Sequence, residues 1–135
     1  MIVGVGVDVA TVARFERMLE RFGARFIGKV MTPDEIGQWP EANGRRLAKI
    51  FSAKEAVVKA LGSGFREGVT LQTVSIGQSP LGAPIATLSG AASERLERIG
   101  ASQVLLSISD EEDTVVAFAL AQQSGLLLAR SERRR

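Results

Sequence analysis

The chain has 135 residues, 45% of them hydrophobic, enough for one compact core and few for two, so a single domain is expected. It contains neither cysteine nor histidine, which excludes disulfides, thiolate or histidine metal sites, Cys-His pairs and a Ser-His-Asp triad, and leaves catalysis to carboxylates, lysines, hydroxyls and a hard metal. The formal charge is only +2, so the placement of charge says more than its total.

Residues 2–9 alternate, with Val3, Val5, Val7 and Val9 on one face and Gly4, Gly6 and Asp8 on the other, which predicts a strand. Two glycines beside a carboxylate leave that face open to a helix, another backbone or a ligand. The opening run MIVGVGV is broken by Asp8 and has no basic leader, so neither a signal peptide nor a membrane span is expected, and the cytoplasm is the expected compartment. Residues 12–28 read as one amphipathic helix. At roughly 100° per residue, Phe15, Leu19, Phe22 and Phe26 form one stripe and Arg14, Arg17, Arg21 and Arg25 another. No acid interrupts the arginine stripe, and Met18 at its margin suits a contact surface.

Thr32-Pro33-Asp34-Glu35 has the cap, the proline and the acid that open a helix, a structural signal. A longer helix is expected from about Arg45 to Leu61, ended by Gly62-Ser63-Gly64. Leu47, Ile50, Phe51, Val57, Val58 and Leu61 share its apolar face, with Lys54 near the middle and Glu55 at the margin. Ala48, Ser52, Ala53, Ala56 and Ala60 line the other side and admit close neighbours, so the helix is expected to be covered on most sides and its charges to need partners. Strands are expected at 69–77 and 83–89, a helix at 90–99, and a hairpin from VLLSIS and TVVAFALA around the acidic turn DEED. Residues 1–122 form the expected domain, and 123–135 an extension with a short Leu-rich helix and a frayed basic tail, RSERRR.

Glu55 and Lys59 have the spacing of an ordinary i, i+4 ion pair, with Lys54 free to reach water. Three features point further: Asp8 on a glycine-open face, two lysines beside Glu55, and the Gly-Ser-Gly break after the helix. Two carboxylates can hold a magnesium ion that keeps waters and binds phosphate oxygens, while lysines act as point charges on those phosphates. That is a diphosphate site without a Walker loop.

The segments VGVGVDVATVARFERM, RFIGKVMTPDE, LAKIFSAKEAVVKALGSG, Gly82-Ala83-Pro84 and SISDEEDTVVAFALA occur in the order found in the holo-(acyl-carrier-protein) synthases, which the chain resembles over residues 1–122. These are the small trimeric type of 4'-phosphopantetheinyl transferase. The resemblance implies an α+β fold of antiparallel sheet and packed helices, a homotrimer, and active sites at subunit boundaries. It also implies transfer of 4'-phosphopantetheine from coenzyme A to a serine of an acidic apo acyl carrier protein, releasing adenosine 3',5'-bisphosphate, in support of fatty acid biosynthesis.

By the same resemblance Asp8 and Glu55 match magnesium ligands, and Lys59 matches the lysine near the diphosphate, with Lys54 a second candidate there. Gly62, Ser63, Gly64, Ser107 and Ser109 border the coenzyme A pocket. Catalysis falls to Glu55 and Lys59, the base being left open between Glu55 and a water on the metal. The first helix, through Arg14, Arg17, Met18, Arg21 and Arg25, matches the one that receives the carrier. Two positions depart from the pattern. Asp110 stands where many members have histidine, and Ile50 stands where arginine is usual; if that arginine holds a phosphate of coenzyme A, the role falls here to Arg45, Arg46 or Lys49 or goes unfilled.

A nucleic-acid-binding module would use the arginine stripe and the tail, but it leaves Asp8, Glu55 and Lys54 idle, and one tryptophan without tyrosine gives no platform for stacking bases. A catalytically silent trimeric relative is the other alternative. Neither a nucleic-acid nor a membrane partner is expected.

Overall fold

The computed structural model describes residues 1–124; the Leu-rich helix and arginine tail expected at the C-terminus lie outside the described residues. In chain order the elements are β1 (Ile2–Thr11), α1 (Val12–Phe22), α2 (Ala24–Val30), α3 (Pro33–Gln38), α4 (Gly44–Ala60), β2 (Val74–Gln78), β3 (Pro84–Leu88), α5 (Gly90–Arg98), β4 (Gln103–Glu111) and β5 (Thr114–Gln122). The fold is α+β, with one antiparallel sheet in the order β1-β5-β4 and a two-stranded antiparallel sheet of β2 and β3.

Helix α4 lies on the first sheet because both surfaces are stripped of bulk. A Cβ at Gly4 would overlap the Ala60 carbonyl oxygen and one at Gly6 the Ala56 carbonyl oxygen, so the glycine face of β1 admits the helix backbone. Ala117, Ala119 and Ala121 of β5 and Ala48, Ala53 and Ala56 of α4 have no exposure. The opposite face of the sheet is apolar and uncovered. In register across the three strands run Val5, Leu120 and Leu105, then Val7, Phe118 and Ser107, then Val9, Val116 and Ser109. Val5, Val7 and Val9 are 58%, 51% and 63% exposed.

The single helix expected over 12–28 is two helices, because Gly23 adopts φ +56° and turns the chain between Phe22 and Ala24. Helix α1 has no cap from its own Thr11. The hairpin turn supplies one instead: the Asp113 carbonyl accepts from Val12 N–H and its carboxylate from Ala13 N–H, both at 2.8 Å. The capping box is present, Thr32 Oγ1 accepting from Glu35 N–H and Glu35 Oε1 from Thr32 N–H. The strand expected from residue 69 begins only at Val74. Thr70 and Thr73 bond neighbouring backbone groups, and that local pairing replaces a ladder.

Ser52, fully buried in α4, is the one described residue whose buried side-chain oxygen lacks a hydrogen-bond partner. Ser52→Ala removes that unmet group and is expected to stabilise the fold by roughly 1 kcal/mol. A melting curve checks this, and a lower midpoint would contradict it.

Candidate active site

Alternation along β1 points Asp8 toward α4, beyond Gly4 and Gly6, where the close approach of the helix brings Glu55 and Lys59 to it. Lys59 Nζ donates to Asp8 Oδ1 at 3.2 Å and to Val7 O at 2.9 Å, which leaves one of its three protons uncommitted. Lys59 is half exposed and Asp8 largely covered. Glu55 is half-buried. Burial and the neighbouring Asp8 carboxylate push its carboxyl above the usual range, opposed by Lys59 and Arg14. A cation between the two carboxylates would relieve that repulsion.

Among the described residues no group of three or more acidic, histidine or cysteine side chains could hold a metal. Asp8 and Glu55 offer two carboxylates, hard oxygen ligands that would leave most positions on a bound cation to water or phosphate. That fits magnesium and not zinc.

The expectation that Lys54 meets a phosphate is corrected. Its side chain has no exposure, and Nζ donates to Glu35 Oε1 at 2.7 Å and to the carbonyls of Val30 and Leu71 at 2.8 Å. All three protons are taken inside the protein, so Lys54 has none for a phosphate. Desolvation lowers its pKa, partly countered by Glu35. Glu35 also accepts from Ile76 N–H through Oε2 at 2.6 Å, so one carboxylate ties α3, α4 and β2 together. Sequence reasoning gave Glu35 only its capping role, since nothing in the local pattern marks a partner on α4.

Ser107 and Ser109 lie in the outward rows with Val7 and Val9, on the opposite face of the sheet from Asp8, and do not meet it within one chain. Gly62-Ser63-Gly64 follows α4 directly, with Gly62 at φ +71° and Gly64 at φ +61°. Arg14, Arg17 and Arg21 lie along α1, and all three are exposed. Met18, on the same helix, is half-buried. Arg25 is exposed too, but it belongs to α2, so the expected four-residue stripe is divided by Gly23.

The departures from the family pattern cluster elsewhere. Asp110 pairs with Arg45 at 2.7 Å and with Lys49 at 3.1 Å, and these bonds hold its carboxyl below the usual range. Arg46 has no carboxylate partner among the described residues and stacks on Trp39, 4.5 Å from the ring centre. Trp39, Arg45, Arg46 and Lys49 line a cavity of about 430 Å³. Arg46 precedes Glu55 by nine positions, about half a turn out of phase, so Arg46 projects from the other side of α4.

A strand made thin by glycine and a helix laid on it bring two carboxylates and a lysine together, groups of the kind that can meet a cation and a phosphate. The sequence profile of the 4'-phosphopantetheinyl transferase superfamily matches residues 4–119, and the chain belongs to that family. It is 43% identical to the holo-(acyl-carrier-protein) synthase of Neisseria meningitidis serogroup C over 125 residues, 91% of this chain and all of that one. A crystal structure of the enzyme from Neisseria meningitidis superposes with a TM-score of 0.85 at 43% identity, covering 91% of this chain and all of the other. The holo-(acyl-carrier-protein) synthase of Helicobacter pylori, solved in complex with coenzyme A, superposes with a TM-score of 0.77 at 28% identity, covering 87% and 99%.

Proposed function

We propose that this chain is a holo-(acyl-carrier-protein) synthase, transferring 4'-phosphopantetheine from coenzyme A to a serine of an acidic carrier protein that serves fatty acid synthesis. The observation that carries this reading is the meeting of Asp8, Glu55 and Lys59 where α4 crosses the glycine face of β1. The carrier serine oxygen attacks the β phosphorus of coenzyme A, a new P–O bond forms, the bond to adenosine 3',5'-bisphosphate breaks, and the serine proton passes to Glu55 or to a water. Such a displacement needs positioning and charge neutralisation more than covalent help from the protein. Asp8 and Glu55 would hold magnesium, which when bound supplies neutralisation of diphosphate charge. Lys59, anchored on Val7 O and Asp8, offers its remaining proton to a phosphate oxygen.

The uncovered apolar sheet face supports a trimer: valines on β1 and Phe118 on β5 are costly to leave in water, and further copies of the chain would cover them. The same geometry supports a shared active site. Ser107 and Ser109 lie on that outer face, and Arg46 projects from α4 about half a turn away from Glu55, so a neighbouring subunit's Asp8 and Glu55 would be their partners in the trimer. Arg46, unpaired by any described carboxylate, is the best placed of the three cations to replace the arginine missing at Ile50.

No helix among the described residues is long and apolar enough to cross a membrane. The decisive experiment mixes the purified chain with an apo acyl carrier protein, coenzyme A and magnesium. The carrier should gain the mass of one phosphopantetheine, and chelation of magnesium should stop it. No gain in mass would refute the reading.

The carrier should dock on the arginines of α1. Reversing Arg14 and Arg21 to glutamate is expected to raise the Michaelis constant for the carrier by about tenfold or more, with little change for coenzyme A, since charge on a docking surface chiefly governs encounter. The wild-type constant should climb more steeply with salt than the variant's. Equal effects on both substrates would remove α1 as the docking surface.

A further inference from the structure

We infer that Arg95 is a positioning residue for substrate binding: from α5 it fixes the Gly62-Ser63-Gly64 loop and, through it, the last turn of α4 that carries Lys59. The inference rests on the reading of that loop as a wall of the coenzyme A pocket. Arg95 Nε donates to the Leu61 carbonyl at 2.9 Å, across 34 positions of sequence. A Cβ at Gly62 would lie 3.4 Å from Arg95 Nη2, so the guanidinium runs alongside the first glycine of the loop. Among the described residues it is the one side chain outside residues 61–64 that is bonded to them, and it forms no ion pair that would draw it elsewhere.

The loop has little else to hold it. Gly62 N–H reaches Lys59 O at 3.0 Å, Gly64 N–H reaches Val58 O only at 3.4 Å, and Ser63 Oγ donates to its neighbour Gly64 O. Two glycines in left-handed conformations have more freedom to lose on ordering than any other residues. A cation on the carbonyl end of a helix is favourably placed against both the unpaired carbonyl and the helix dipole. Lys59 lies only three residues before Gly62, so a loosened loop also loosens the turn from which Lys59 reaches Val7 O and Asp8.

Arg95→Gln should weaken binding of coenzyme A and of adenosine 3',5'-bisphosphate by about tenfold, because loop residues must then be ordered at the moment of binding. The Michaelis constant for the carrier should stay within about twofold, because docking on α1 is separate. Arg95→Lys, whose ammonium can still donate to Leu61 O, should restore most of the affinity. Titration calorimetry with each ligand reads the first effect, and amide exchange at Gly62 and Gly64 should quicken in the glutamine variant only. A lower melting point with unchanged coenzyme A affinity would assign Arg95 to stability alone and overturn the inference, as would equal losses for both substrates. A wild-type chain that binds no coenzyme A would overturn the proposed function and this inference with it; normal wild-type binding that survives Arg95→Gln would overturn the inference only.

Discussion

Asp8→Asn and Glu55→Gln should each lower transfer by at least about a hundredfold, the scale of losing one preorganised electrostatic group, while the chain stays folded. Both substitutions keep the shape of the side chain and remove a charge. Glu55 is held in a half-buried setting near another carboxylate, and its raised pKa records that its ionised form is disfavoured there. Making it neutral therefore relieves repulsion, and the melting midpoint of Glu55→Gln should equal or exceed that of the wild type. Asp8→Asn gives up its ion pair with the half-exposed Lys59, a partnership of small worth. Loss of turnover with no loss of stability is the mark of groups kept for chemistry at a cost to the fold. Rates measured at limiting magnesium, beside thermal melts, test it. Full activity of either variant under those conditions would remove that carboxylate from the metal site.

That β1 and α4 each admit a close neighbour was legible in the sequence, but that they meet each other was not, since the glycine face was equally open to another backbone or a ligand. Gly4 and Gly6 on one strand face, and Ala56 and Ala60 on one helix side, permit a contact that larger residues forbid, and those four positions meet. The capping box was legible, since its bonds lie within four residues. Period-two alternation divided β1 into two faces but did not say which is inside. Val5, Val7 and Val9 face outward and the glycine face is covered, while Val3, beside a register shift in β1, packs against the core. The break at Gly23 was hidden because the apolar rhythm continues across it, yet Phe26 on α2 packs 6.0 Å from Phe15 on α1, a contact that eleven residues of continuous helix, about 16 Å of rise, would forbid. Asp8, Glu55 and Lys59 were found through their residue types and spacing together with a motif resemblance. Arg95 and the link from Glu35 to Lys54 were not, since each side chain acts on a partner brought close only by the folded chain.

The position of Lys54 leads to the largest stability effect expected in the chain. Lys54 and Glu35 are 0% and 1% exposed, bonded to each other and to four backbone groups: the Val30 and Leu71 carbonyls, and the Thr32 and Ile76 N–H groups. Removing one partner of a buried pair costs about 3–5 kcal/mol, because the other charge is left without water or counterion. Against a total of roughly 5–15 kcal/mol, that is enough to unfold a marginal chain on warming. The two removals should not be equal. Lys54→Met leaves a carboxylate that still accepts two backbone N–H bonds and can take up a proton. Glu35→Ala leaves an ammonium with two carbonyls, and two amide groups with no acceptor, so it should be the more damaging.

The pH dependence of Glu35→Ala separates charge burial from lost packing. Burial already lowers the pKa of Lys54, and Glu35 raises it; without Glu35 only the lowering remains. A lysine whose pKa is depressed in the folded state binds fewer protons there than when unfolded, so stability rises with pH across the window between the folded and unfolded values. Denaturant unfolding of Glu35→Ala should therefore recover part of the loss as pH climbs toward the ordinary lysine range, whereas Lys54→Met should show no such recovery. A deficit in Glu35→Ala that stays constant over that window would mean that Lys54 keeps its proton and finds another partner, and the buried pair would then be a convenience of packing and not a requirement of the fold.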